Sequence, residues 1–348
     1  MFAAFIVLWI ITLVSMRVHT KGLDEKYLSK EYTQAIKGFF ILVVFLSHAR
    51  QYAPYDSEGA LFAISFLDYL GQFMVTLFLF YSGYGVNEAI KKKGNVYVNA
   101  LPKNRIGKTF FDFAFAILLF YITGLIVGTV WPIPRVLLSL TGWTGIGNSN
   151  WYMFVIFVLY ILTYLCFKIF GEGKKRHFLA LCLLSVLSFL YVYLMSDLQP
   201  SRFSNTFLCY VAGAWYSYFK EEIDKLFKKN NLIYYVISAI VVAAYLYTFD
   251  MRGIRLMYFN MVSILFCLCI VLLSCKISFK SKILAWCGEH LFWIYILQRI
   301  PMILLRHLGM IEYNMNLFLW ISLAVTIVMA YLAKKYMDRL KDCIWKHL

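Results

Sequence analysis

Lys37 and His48 are separated by ten residues, nearly all apolar, in Lys-Gly-Phe-Phe-Ile-Leu-Val-Val-Phe-Leu-Ser-His. On an α-helix eleven steps advance about 1100°, within about 20° of three full turns, so ammonium and imidazole share one face about 16 Å apart. That is about half the hydrocarbon thickness of a bilayer. Ionisable groups in a membrane span are costly and face a bundle interior or a wet cavity, which makes this pair the starting point for chemistry. An imidazole accepts a proton near neutrality, the property a general base needs. A plainer reading also fits the spacing: Lys37 snorkels to the interface and His48 caps the span near water.

Three other stretches carry reactive or recognition groups. Leu79-Phe-Tyr-Ser82-Gly83-Tyr-Gly85 joins a hydroxyl to two glycines that permit close approach of a backbone or a ligand, and it is expected near the cytoplasmic end of its span. Lys91, Lys92, Lys93, Lys103, Arg105 and Lys108 follow as the most basic loop, suited to the phosphates of a nucleotide-like coenzyme or to anionic lipid. Gly147-Asn-Ser-Asn-Trp151-Tyr152 ends a connection rich in Trp, Pro and Gly, which fits either an interfacial aromatic belt or a sugar-binding surface. Near the C-terminal end, Arg299 falls deep in an apolar run and needs a partner or water, while Pro301 removes a backbone bond and is expected to kink its helix.

The elements that must position these groups are membrane helices. The 348 residues are 62% hydrophobic and 15% charged, beyond what a soluble core requires. Eleven apolar spans are expected, at about 1–17, 35–52, 62–86, 109–130, 150–170, 177–196, 203–219, 232–249, 257–275, 284–305 and 316–336. The first is short, and without it a bundle of ten remains. The chain therefore reads as an all-α, polytopic membrane protein of one domain, 1–348, with 1–30 an extra span and linker and a core of about 31–340. All but seven of the 34 Lys and Arg residues fall in the odd-numbered connections and the C-terminal tail, which the positive-inside rule makes cytoplasmic, with the N-terminus outside. The net charge of +16 is thus a matter of topology and implies no nucleic acid. Eight Cys residues lie in or beside apolar runs without paired spacing, so neither a disulfide framework nor a metal site is expected. The apolar N-terminus lacks a basic lead and a cleavage site and reads as a retained span.

Taken together, these residues resemble the acyltransferase-3 family of integral membrane acyltransferases over about residues 30–340. The resemblance rests on the basic residue, ten residues, then His pattern at Lys37 and His48, Ser82-Gly83, the basic loop, Trp151-Tyr152, and the run from Gly288 through Tyr295 to Pro301. Two positions depart from it. Arg105-Ile-Gly-Lys108 stands where the family often has two arginines, and Gln298 stands where it commonly has a His.

The resemblance implies transfer of an acetyl or other short acyl group from cytosolic acyl-CoA, acetyl-CoA for instance, to a hydroxyl of a cell-envelope or exported glycan, in a multi-pass protein of a bacterial cytoplasmic membrane. His48 and Lys37 are then the catalytic candidates; Ser82, Gly83, Arg105 and Lys108 are candidates for binding acyl-CoA. Trp151, Tyr152 and Arg299 are candidates for the acceptor site. Acyl-CoA is a substrate, and no bound cofactor is implied. Membrane lipids, a glycan or lipid-linked sugar, and a homo-oligomer or glycan-synthesis complex are the expected partners. An acyl-His48 intermediate remains open beside direct transfer. The rival reading is a transporter or flippase for a polysaccharide or lipid-linked precursor, against which stands the lack of an internal repeat. A further alternative is an inactive partner in a glycan-synthesis complex.

Overall fold

A computed structural model describes residues 1–20, 22–253 and 256–345. Lys21, Arg255 and Lys346, which enter the charge balance above, lie outside the described residues. The structure is 82% helical, so backbone polar groups are satisfied within segments, as hydrocarbon demands. In chain order the helices are α1 (Phe2–Ser15), α2 (Lys30–Ala49), α3 (Glu58–Leu70), α4 (Phe73–Leu101), α5 (Lys108–Ile126) and α6 (Ile133–Ser139). Next come α7 (Trp151–Phe170), α8 (Lys174–Leu198), α9 (Leu208–Lys229), α10 (Asn231–Thr248) and α11 (Leu256–Ser274). The chain ends in α12 (Lys282–Glu289), α13 (Leu291–Leu297), α14 (Arg299–His307), α15 (Met310–Tyr313) and α16 (Met315–Trp345).

Among the described residues, seven helical stretches are long and apolar enough to cross a membrane. One of them, Phe73–Ile126, holds the second half of the expected span 62–86 and most of 109–130, joined through a bend at Gly94 (φ 54°) and a π-helical turn at Pro102–Gly107. Leucines, isoleucines and valines such as Val14, Ile126 and Ile169 stand exposed on the outer surface, which suits a protein solvated by lipid.

Four expected spans take a different form, among them 203–219, which is helix α9 and is not one of the seven stretches because its C-terminal half carries charged residues. The first span is a 14-residue helix, too short to cross alone. The run 62–86 is not one helix: α3 stops at Gly71 (φ 47°) and α4 starts afresh at Phe73. Ser82 and Gly83 therefore lie about 15 Å into α4, near mid-depth, and not at the end of a span where they were expected. The tenth run is broken into α12, α13 and α14. Pro301 has no N–H to offer the Leu297 carbonyl, and the helix breaks at Gln298, in the turn before it.

Two helix crossings brace the bundle, and both are made by reciprocal glycines. A Cβ on Gly83 would stand 1.9 Å from the Tyr210 carbonyl oxygen, and one on Gly213 would stand 2.0 Å from that of Phe80, so α4 and α9 meet backbone to backbone. In the same way a Cβ on Gly38 would reach to 1.8 Å from the Leu284 oxygen, and one on Gly288 to 1.9 Å from the Gln34 oxygen, which locks α12 onto α2. Lipid tails are as apolar as leucine, so close van der Waals packing of this kind holds helices together in a membrane where water exclusion cannot.

Helix α1 is fastened at both ends. The Met1 ammonium donates to the Asn316 side-chain oxygen at 3.1 Å, and strand β1 (Met16–Val18) pairs antiparallel with β2 (Ile277–Phe279), Arg17 facing Ser278.

Candidate functional site

The register of α2 is set at its start. Ser29 caps the helix by accepting from the Tyr32 N–H, and Glu31 in the first turn complements the helix dipole. Lys37 then falls in the third turn and His48 in the last, on a face turned about 80–100° from that of Gly38.

At one end of the bundle His48 lines a cavity of about 630 Å³ together with Gln51, Asn148, Ser149, Trp151 and Arg299. Its Nδ1 is buried and has no hydrogen-bond partner, which leaves Nε2 as the nitrogen on the cavity side. The neighbouring Gln298 is fully buried. Its Nε2 donates to the Tyr295 carbonyl at 2.9 Å, one of the backbone acceptors near the break, and this orients the amide. Its Oε1 is, like His48 Nδ1, buried and unpaired. The two side chains act on each other, although no hydrogen bond is closed between them in this conformation.

Arg299 opens α14 just past the break and donates to three neutral partners: Ser149 Oγ at 2.9 Å, the Tyr52 hydroxyl at 3.3 Å and Gln51 Oε1 at 2.7 Å. The need for a partner foreseen for this arginine is thus met from α7's approach loop and from the end of α2. Trp151 lies on the cavity wall and meets Tyr152 edge to face at 5.9 Å. Tyr152 points further in, with its ring 5.4 Å from that of Tyr295, which in turn lies 6.4 Å from His48.

The other expected residues gather toward the opposite, lysine-rich end. Lys37 is half-buried, and the charges that act on it are those of Lys30 and Arg105. Arg105 sits in the π-helical turn, where Nε donates to the Tyr97 hydroxyl at 3.1 Å, and Lys108 follows one turn later. Tyr160, two turns along α7 from Tyr152, shares a 2.9 Å hydrogen bond with Ser82 and faces Tyr210 at 6.3 Å between rings. Tyr210 in turn shares a hydrogen bond with Thr163 at 3.1 Å. A file of hydroxyls and aromatic rings thus runs from Arg105 through Tyr160 and Tyr152 to Tyr295 and His48. Gly83 is not open to a ligand: its free face is filled by the Tyr210 backbone, the packing role that two glycines at that spacing also allow.

A second cavity of about 660 Å³ opens between the end of α4, the α7–α8 turn and α9, lined by Lys91, Glu172, His177, Tyr218 and Glu221. It is lined by Lys91 and Lys93 of the basic loop but by none of Lys37, Ser82, Gly83, Arg105 and Lys108. Among the described residues no group of three or more His, Cys, Asp or Glu is placed to hold a metal ion.

Tyr160 and Tyr97 had no signal of their own in the sequence. Tyrosines are numerous in this chain, and only the packing of α7 against α4 and α13 singles these out. Gln298 had one, as the polar residue just before Arg299 in an apolar run.

A helical bundle with lipid-facing flanks and seven stretches long and apolar enough to cross a bilayer among the described residues defines a multi-pass integral membrane protein. A family model described as an acyltransferase domain, acyltransferase-3 type, matches residues 31–335, and the chain belongs to that family. It is accordingly a multi-pass membrane acyltransferase. The match begins in the first turn of α2 and omits α1. No curated protein and no solved structure gives a match.

Proposed function

We propose that this acyltransferase moves an acetyl or other short acyl group from acyl-CoA, taken from the cytoplasmic, lysine-rich side, to a hydroxyl of a cell-envelope or exported glycan held in the cavity at the other end. The observation that carries the reading is the unpaired imidazole of His48 at the wall of that cavity, joined by the tyrosine file to the cationic mouth at Lys37 and Arg105. The charge bias of the connections orients the protein, with its C-terminus in the cytoplasm of a bacterial cell.

The CoA phosphates bind at Lys37, Arg105 and Lys108, where guanidinium and ammonium groups make charge-assisted hydrogen bonds. The pantetheine arm extends along Ser82 and Tyr160, whose hydroxyls suit its amides. His48 Nε2 then takes the proton from the acceptor hydroxyl. The oxygen attacks the thioester carbonyl carbon, the carbon–sulfur bond breaks, and the proton returns from the imidazolium to the departing thiolate. Gln298 Oε1 stabilises the Nδ1–H tautomer, which keeps Nε2 free to act as the base.

Transfer of radiolabelled acetyl from acetyl-CoA to envelope glycans, in membranes carrying the chain, tests the reading. Labelling above that of membranes lacking the protein supports it. Glycan export without acyl-CoA consumption would overturn it in favour of a transporter.

Two substitutions separate the roles. Lys37→Ala is expected to raise KM for acyl-CoA about tenfold, the worth of one charge-assisted bond, with kcat changed little; an unchanged dependence on donor concentration would remove Lys37 from the donor site. Gln298→Leu, which keeps the volume and removes the acceptor, is expected to lower kcat about tenfold with both KM values unchanged, read in steady-state kinetics on purified protein.

A further inference from the structure

We infer that the acceptor is an anion: a glycan bearing carboxylate or phosphate groups, held by arginines around the His48 cavity. The inference rests on the acceptor-site reading above and adds the chemical class of the substrate. Three guanidinium-bearing residues, Arg135, Arg202 and Arg299, come from three distant parts of the chain to line one cavity, and no Asp or Glu lines it with them. Arg299 spends its donors on neutral partners. Arg135 donates Nε to the Gly145 carbonyl at 3.2 Å and lies 4.5 Å over the Trp131 ring. Among the described residues neither of these two, nor Arg202, forms an ion pair with a carboxylate, whereas Arg50, nearby on α2, pairs with Asp68. The cavity therefore holds positive charge that its own walls do not neutralise.

A second, independent group points the same way. Asn148 is 8% exposed and lines the cavity. Its Oδ1 accepts from the Ile146 N–H at 3.0 Å, which fixes the amide, and its Nδ2 is left buried without a partner. A buried donor without an acceptor is costly, and an anionic oxygen in the cavity would satisfy it.

Residue choice agrees. The seven cations assigned to the outer connections are all arginine, while the lysines lie on the other side. Topology alone explains why they are few but not why three of them converge. A planar guanidinium matches the paired oxygens of a carboxylate or phosphate, which an ammonium does not.

The test is equilibrium binding to the full-length protein in detergent, with trigalacturonate as carboxylate probe, a glycerol-phosphate trimer as phosphate probe and maltotriose as neutral control. Binding needs no turnover, so failure here is distinct from failure of the acyl-transfer assay. At low salt at least one anionic probe is expected to bind tenfold or more tightly than maltotriose, and the preference is expected to fall with ionic strength. Which probe prevails tells a carboxylate from a phosphate acceptor. Arg202→Gln and Arg135→Gln should each reduce that preference roughly tenfold and leave KM for acetyl-CoA unchanged. Equal binding of all three probes, or a preference that survives both substitutions, overturns the proposal. So does a rise in KM for a dicarboxylic acyl donor such as succinyl-CoA with anionic-glycan binding intact, since the arginines would then serve the acyl group.

Discussion

His48→Ala is expected to cut acyl transfer by about 10²–10⁴-fold, the usual worth of a positioned general base, while the protein still inserts and purifies as wild type. The side chain is half-buried at a cavity wall, and its Nδ1 makes no hydrogen bond, so its removal breaks no structural contact of that kind. Around His48 the helix is packed by the buried residues Val44, Phe45, Leu46 and Ala49, which the substitution leaves in place. The measurement is labelled-acetyl transfer normalised to the amount of purified protein, beside a thermal unfolding midpoint. Residual activity within a few-fold of wild type would remove His48 from the chemistry, both as a base and as an acylated intermediate. A lowered midpoint would show that the ring is a packing element after all.

Gly213→Val should have the opposite profile, with little protein recovered and no variant-specific kinetics to measure. Its Cβ position is 2.0 Å from the Phe80 carbonyl oxygen, and that oxygen belongs to a helix backbone that no rotamer can move. Helices α4 and α9 must separate, which strips the buried side chains Phe80, Tyr210 and Ala214 of contacts made only at this distance. Overpacking a flexible core costs about 1–3 kcal/mol, and a backbone clash at a crossing lies at or beyond the upper end. Gly85→Ala is the matched control, because a Cβ there meets nothing within 4 Å. Size-exclusion profiles in detergent distinguish the two; equal monodisperse yield of both variants would show that the crossing is not structurally essential.

Much of the architecture was legible because membrane helices announce themselves by composition, and the placing of Lys37 and His48 on one helix followed from spacing alone. Interruptions were less legible. In the run 62–86 Asp68 and Gly71-Gln72 interrupt the apolar residues, a faint mark of the stop at Gly71 that pushes Ser82 to mid-depth. The site was legible only where one segment carries it. Ser149, Arg135 and Arg202 come to the cavity that His48 lines through the packing of α6, the α6–α7 loop and the α8–α9 turn, a relation between distant segments that no local spacing encodes. Gly83 shows the converse: the dipeptide at Ser82 attracts attention as a motif, yet its glycine is filled by the Tyr210 backbone while the serine beside it reaches Tyr160.

The two fastenings of α1 bear on how the protein is made. This helix can pack on Phe39, Phe62 and Phe66 as soon as α2 and α3 follow it, but the partners of its two fastenings, Ile277–Phe279 and Asn316, are made much later. At a synthesis rate of about 5–20 residues per second, it waits on the order of ten seconds to a minute for them. Through that interval a 14-residue apolar helix must remain in or on the bilayer without its final contacts. The fastening of its two ends is therefore a late step in biogenesis, and there the order of insertion differs from the order of assembly.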